Sequence, residues 1–263
     1  MTETEHPQSN LSLLPNTYNG NQHPLLKFNK ECNACVLGKG CAVGGAGSDD
    51  LNNIKLVVVS DSIGEYESLA GYPMYDNYKE RMPKYNKKTK RHSLPGWKNA
   101  GATLREYLSK LFGLNTYTQV WITNAVKCSP QEIKISDVHI KACNFWLKEE
   151  LDLIDSIKPE VPILIAGTTA LKAMHRIDPT LKPFKSLRTT RRQVLHWRLH
   201  PIVTTVNPAI IGRSEARIES PGSVGLTPQN TYKINAVDPF PVLIGSPAWN
   251  FTQDLELLRP FLF

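Results

Sequence analysis

Two rhythms of apolar and polar positions run along the chain. Residues 55–60, 119–123, 161–166 and 201–206 are short β-branched or aromatic runs, the pattern of buried strands. Between them the spacing turns helical. Residues 99–112 put Leu104, Leu108 and Leu111 on one face. Ser136 is placed to cap a long helix that runs to Ile157 and stops before Pro159. Gly167, Thr168 and Thr169 open a short helix ending near His175, and residues 249–263 read as one closing helix. Apolar strands alternating with helices predict a three-layer α/β/α fold around a central four-stranded parallel sheet, with residues 193–198 as an edge strand beside it.

The remaining stretches set the domain limits. Residues 1–28, rich in Asn, Pro, Gln and Ser, read as a flexible arm, and residues 29–263 as one domain. Residues 75–95 lack periodicity and read as a surface insertion. The polar first ten residues and the lack of any membrane-length apolar run give the expectation of a cytoplasmic protein with no membrane partner, and a monomer. The net charge of +7 is concentrated: Lys79 to Arg91 carries seven basic residues against one acid, Glu80. Such a patch is either a solvated loop or the footprint of a phosphate backbone.

Two sets of residues carry chemistry. Cys32 and Cys35 form a C-x2-C pair, and Cys128 and Cys143 a second pair far along the chain. Four thiolates close a tetrahedral site for zinc or an iron–sulfur cluster, and spacing alone does not choose between them; Cys41 is a spare. The second set lies at strand ends: Asp61 after the first strand, Asn124 after the second, Asn207 after the fourth. In open α/β sheets ligands bind at the carboxyl ends of strands. A carboxylate and two amides converging there would hydrogen-bond a flat heterocycle and support one charged step.

With these residues in place, the chain resembles the uracil-DNA glycosylase superfamily, and within it the family-4-like iron–sulfur branch, over residues 30–260. Ile122-Thr123-Asn124-Ala125-Val126-Lys127-Cys128 is similar to the family's second motif. Asp61-Ser62-Ile63-Gly64, with Glu67 and Gly71-Tyr72-Pro73-Met74, stands where the family has a Gly-Glu-Ala-Pro-Gly-like motif followed by Gly-Arg-Pro-Phe. Thr205-Val206-Asn207-Pro208-Ala209 stands at its His-Pro-Ser motif. The resemblance implies a 4Fe–4S cluster on Cys32, Cys35, Cys128 and Cys143. It also implies a base held by Asn124, Met74, Ser62, Ile63 and Gly64, catalysis by Asp61 and Asn207, and a DNA-wedging loop at Ile210, Ile211 and Arg213. Three residues depart from the pattern: Asp61 replaces a Glu, Met74 the Phe that stacks on the base, and Asn207 the His at the base's O2.

These readings combine into a monofunctional DNA glycosylase acting on a base flipped out of the helix. Asn124 would read the pyrimidine edge, and Asp61 would support the oxocarbenium sugar and position water. Asn207 would donate to the departing base, and Lys84, Lys87, Lys88, Lys90 and Arg91 would contact phosphates. The altered pocket and the insertion point to a modified pyrimidine, with hypermodified cytosine of phage DNA the case to test first and an antiviral role to match. Uracil excision in repair, a catalytically weak lesion-sensing DNA-binding module, and a zinc-stabilised RNA-binding protein are the alternatives.

Overall fold

The computed structural model describes residues 32–37, 42–75, 85–86, 91–92, 99–130, 133–181, 186–211, 231–233 and 241–263. The sheet strands are β1 (Leu56–Ser62), β4 (Val120–Val126), β5 (Ile163–Ala166), β6 (Val194–Trp197) and β7 (His200–Thr205); the pairs β2 (Tyr85–Asn86)/β3 (Arg91–His92) and β8 (Thr231–Lys233)/β9 (Pro241–Leu243) are small separate hairpins. The order across the sheet is β4-β1-β5-β7-β6. β1 pairs in parallel with β4 and β5, and β5 with β7, while β6 runs antiparallel to β7. The expected four parallel strands are therefore joined by a fifth. A tight turn at Arg198–Leu199 returns the chain straight from β6 into β7, which only antiparallel neighbours allow.

The helices are α1 (Glu65–Ala70), α2 (Ala100–Phe112), α3 (Asp137–Ile157), α4 (Thr168–Ile177), the short α5 (Leu187–Thr190) and a closing helix, Pro247–Glu256. Alternation along the strands builds two cores. Val57, Val59, Trp121, Ile163, Ile165 and Ile202 face α3 and α4 through Leu147, Leu151, Leu171 and Met174. Leu56, Val58, Val120, Ile122, Leu164 and Val203 face the other way, onto Leu104, Tyr107 and Leu108 of α2 and Phe251 and Leu255 of the closing helix. Both faces of the sheet are covered, which is why its strands read as unbroken apolar runs.

The helix ends follow local chemistry. Asn99 caps α2 by accepting from the Ala102 N–H (2.7 Å), and Gly113 ends it in the left-handed conformation. α3 starts after Ser136 and ends at Ile157, as its sequence signals imply. The expected single helix over 249–263 is instead two pieces, Pro247–Glu256 and Arg259–Leu262. Leu257 and Leu258 donate to carbonyls three residues back, and Pro260 has no N–H with which to continue the ladder. Within the basic insertion the described residues form the β2–β3 hairpin, with Tyr85 opposite His92 and Asn86 opposite Arg91. The outer edge of β4 is closed by residues 42–47: Ala46 and Ile122 exchange two backbone hydrogen bonds (2.8 and 2.7 Å), and Val43 donates to Lys127 O. Among the described residues no helix is long and apolar enough to cross a membrane.

Candidate active site

The four parallel strands end on one side of the sheet, and Asp61 stands there at the tip of β1. Its Oδ1 accepts from the backbone N–H groups of Thr169 (2.8 Å) and Ala170 (3.1 Å), in the first turn of α4. Its Oδ2 accepts from Asn207 Nδ2 (3.0 Å). The α4 N-cap position is Gly167, which has no side chain to offer, so Asp61 caps the helix from another strand. Gly167 is required twice over. Its φ is +122°, and a Cβ there would lie 2.3 Å from both Asp61 oxygens. Its N–H donates to Thr205 O (3.0 Å), tying the ends of β5 and β7 together beneath Asn207. Burial pushes the Asp61 carboxyl above the usual aspartate range, more strongly than its three hydrogen bonds pull it down.

Asn207 is fixed in one orientation. Its Oδ1 accepts from the Ala209 N–H (2.9 Å), which aims its Nδ2 at Asp61. An amide nitrogen carries two hydrogens, so one N–H remains for a ligand. Of the three groups expected to converge, Asp61 and Asn207, 146 residues apart in sequence, are joined by a hydrogen bond.

Asn124 is different. It is 1 % exposed, and neither its Oδ1 nor its Nδ2 has a hydrogen-bond partner. A buried amide left unpaired at both ends is costly and rare. No hydrogen bond joins it to Asp61 or Asn207, and alternation explains why. Asn124 pairs in register with Ser60, sharing the Ile122 face, whereas Asp61 falls on the Val59 face toward α4. The amide and the carboxylate approach the strand ends from opposite sides of the sheet.

Met74 lies on Asn124's side, packed among Leu104, Tyr107 and Ile122, with φ of +52°. That conformation is uncommon for a residue with a side chain. Three contacts hold it: Met74 N–H donates to Glu67 Oε1 (2.6 Å), Arg105 donates to Met74 O (3.3 Å), and Gly101 leaves room for that carbonyl, which a Cβ would meet at 2.1 Å. Glu67 also accepts from the Gly64 N–H, and burial raises its carboxyl above the usual range. Two of the residues expected around the base have their backbone N–H groups engaged within the protein, Gly64 with Glu67 and Ile63 with Val126 O (3.2 Å). Ser62, in register with Val126, is half-buried at the end of β1.

Of the expected wedge residues, Ile211 is fully buried in the second core, so it supports the fold, while Ile210 is 44 % exposed. Arg213, Lys84, Lys87, Lys88 and Lys90 lie outside the described residues, as does the side chain of Arg91, whose backbone is in β3. Cys32, Cys35, Cys128 and Cys143 are not joined in disulfides, the first two half-buried and the last two buried, all in or against one core cluster. Burial pushes the Cys143 thiol up; a backbone hydrogen bond and the charge of Lys127 oppose this, and Cys32 and Cys35 lie near enough to add to the rise. The four thiols suit a soft metal centre in kind, and all four lie in or against the same core cluster. Among the described residues, no three His, Cys, Asp or Glu side chains stand as a ready-made cage, so binding would have to draw the thiols together. Cys41 lies outside the described residues.

Some residues that build the site were not singled out from sequence. Lys127 and Glu150 are 1 % and 2 % exposed and form an ion pair at 2.8 Å. Glu150 also accepts from Thr123 Oγ1 and from the Gly45 N–H (2.8 Å), and Lys127 donates to Thr123 Oγ1 (2.6 Å). This network runs between Asn124's neighbour and the cysteines. Its signal was a lysine inside an apolar run, which needs a buried partner. Asp254, fully buried on the closing helix, accepts from Thr205 Oγ1 (2.8 Å) and pairs with Arg191.

The model of the Uracil DNA glycosylase superfamily matches residues 47–223, about two-thirds of the chain. That span holds Asp61, Asn124 and Asn207 and begins after Cys32 and Cys35. No curated protein matches the chain.

Proposed function

Because the chain belongs to the uracil DNA glycosylase superfamily, we propose that it is a monofunctional DNA glycosylase that excises a pyrimidine flipped out of the helix and leaves an abasic site. The observation that carries this reading is Asn124. A buried carboxamide with donor and acceptor both unspent is matched by the donor–acceptor edge of a pyrimidine. Turned one way, the amide suits cytosine N4–H and N3; turned the other, uracil O4 and N3–H.

In the proposed reaction the N1–C1′ bond breaks with its electron pair passing to the base. The remaining N–H of Asn207 donates to the base's O2 as negative charge gathers there. Asp61 faces the developing oxocarbenium sugar and accepts the proton of the water that adds at C1′. Its raised pKa, caused by burial, suits a proton acceptor better than that of a free aspartate. Cys32, Cys35, Cys128 and Cys143 would hold a 4Fe–4S cluster. When bound, it would supply a structural clasp between the N-terminal segment, β4 and α3.

The proposed substrate is a modified pyrimidine, first of all a hypermodified cytosine of the kind phage DNA carries, in an antiviral role. One residue supports that choice, the adaptable thioether of Met74 in place of an aromatic plate, whereas Asn207 in place of an ionisable His at O2 weighs against it, because cytosine leaves less readily than uracil. Uracil is the second reading, favoured by the freedom of the Asn124 amide to turn. A lesion-sensing module is favoured by one observation, that three of about four acceptor sites on the Asp61 carboxylate are taken within the protein. The test is a panel of oligonucleotides with uracil, thymine, methyl-, hydroxymethyl- and glucosyl-hydroxymethyl-cytosine, scored for abasic sites. Excision of a modified cytosine above uracil is the expected result. Uracil alone would support repair, and binding without excision would support the module.

A further inference from the structure

We propose that Arg192, set on the face of Trp249, is a phosphate contact flanking the β7 side of the site, resting on the reading that this chain acts on DNA. Arg192 is exposed, yet its guanidinium has two partners within the protein. Its backbone is left-handed, with φ of +63°, which is uncommon for a residue with a Cβ. Its guanidinium lies 4.9 Å from the centre of the Trp249 ring, and Nη2 donates to Asn250 Oδ1 (2.9 Å). Holding an exposed arginine in one geometry costs side-chain entropy. Among the described residues no acid lies within ion-pair distance of it.

The neighbouring arginines show that this is not the general state of the surface. Arg191 is neutralised by the buried Asp254, and Arg198 is shared between Asp152 (2.7 Å) and Asp155. Arg192 therefore presents a fixed charge and four further N–H donors in a planar fork, the geometry that fits phosphate oxygens. Its place in the fold agrees. Arg191 joins Asp254, which takes the hydroxyl of Thr205, two residues before Asn207. Arg192 thus sits at the carboxyl end of β7, beside the proposed chemistry, whereas Arg198 lies at the opposite end of β6.

The experiment measures duplex DNA affinity of the full chain by fluorescence anisotropy from 50 to 200 mM salt, for the parent, Arg192→Gln and Arg198→Gln. Each lost phosphate contact lowers the log–log salt slope by about 0.9. Arg192→Gln should therefore flatten the slope by about that amount, so that its affinity deficit shrinks roughly 3- to 4-fold across this range. Arg198→Gln should leave the slope unchanged, which separates a contact from a general loss of positive charge. Trp249→Leu, which keeps the charge but removes its platform, should weaken binding at low salt with intermediate flattening. A parent slope in Arg192→Gln with an unaltered melting temperature overturns the inference and leaves the glycosylase reading standing. A parent chain that binds no DNA overturns both.

Discussion

Replacing Asp61 by Asn separates catalysis from helix capping, because the structure makes both demands on the same carboxylate. Asn retains an acceptor for the Thr169 and Ala170 N–H groups, and it caps a helix about as well as Asp. Its own amide nitrogen would then face Asn207 Nδ2, donor against donor. Asn207 would not turn without losing the Ala209 N–H. That conflict costs about 1–3 kcal/mol. Against it stands relief of the buried charge. Burial holds the Asp61 carboxyl above its unfolded value, so its linked stability is full below the unfolded pKa and is lost as pH rises through the folded pKa. At neutral pH the variant no longer carries that loss, and the net change in stability should stay within about 2 kcal/mol. Removing an electrostatic group from the transition state is worth about two to three orders of magnitude in rate, or roughly 2.7–4 kcal/mol. Single-turnover excision of the best panel substrate, alongside thermal melts from pH 4 to 8, reads both quantities. The expected result is a rate at least 100-fold lower with a variant-minus-parent stability that grows more favourable as pH rises. Excision at the parent rate would refute the catalytic role and leave Asp61 as the cap of α4.

Three further outcomes follow from the site. Asn124→Leu should raise stability by about 1–3 kcal/mol in urea melts, since it removes an amide unpaired at both ends, while abolishing discrimination between bases; a destabilised variant would mean the amide is satisfied in solution. Lys127→Met strands the Glu150 carboxylate in the core and should cost about 3–5 kcal/mol, of which much should return in Lys127→Met/Glu150→Gln; equal loss in single and double variants would argue against the pair. Serine at any one of Cys32, Cys35, Cys128 or Cys143 should lower the iron and sulfide content of anaerobically purified protein; stoichiometric zinc in the parent would replace the cluster with a zinc site.

The layers were legible because their signals are local. Parallel strands covered on both faces show as apolar runs, and α3 announces itself by Ser136 and Pro159. The edge strand β6 was visible, but its antiparallel membership of the sheet was not. The break before Arg259 depends on one proline that a helical pattern easily absorbs. In the site, residue types were legible and their tertiary partners were not. Nothing near Asp61 in sequence says that it caps a helix 108 residues away. Nothing near Lys127 names Glu150. Ile211 sits in a motif loop where an apolar side chain serves equally as a wedge or as core, and only packing decides.

The distribution of cost across the molecule argues for where its ligand goes. Two other buried polar groups are settled: Glu150 holds an ammonium, a hydroxyl and an N–H, and His200 is bonded at both nitrogens, to Val161 O (2.8 Å) and Asp155 (2.9 Å). Single atoms such as Thr103 Oγ1 and Asn144 Oδ1 lack a partner, but among the described residues only Asn124 lacks one at both ends of its side chain. The left-handed Met74 and the carboxylate of Asp61, raised by burial, lie at or beside the same strand ends. Strain and unmet hydrogen bonds gather where a protein holds a geometry for something it does not itself contain. Under the proposed reading the two faces would divide the work: on the Ile122 side the amide and Met74 would meet a flat base, and on the α4 side the carboxylate would face the sugar while Asn207 donates to the base's O2. A nucleotide lying across the strand ends, base to one face and C1′ toward the other, would satisfy both groups at once.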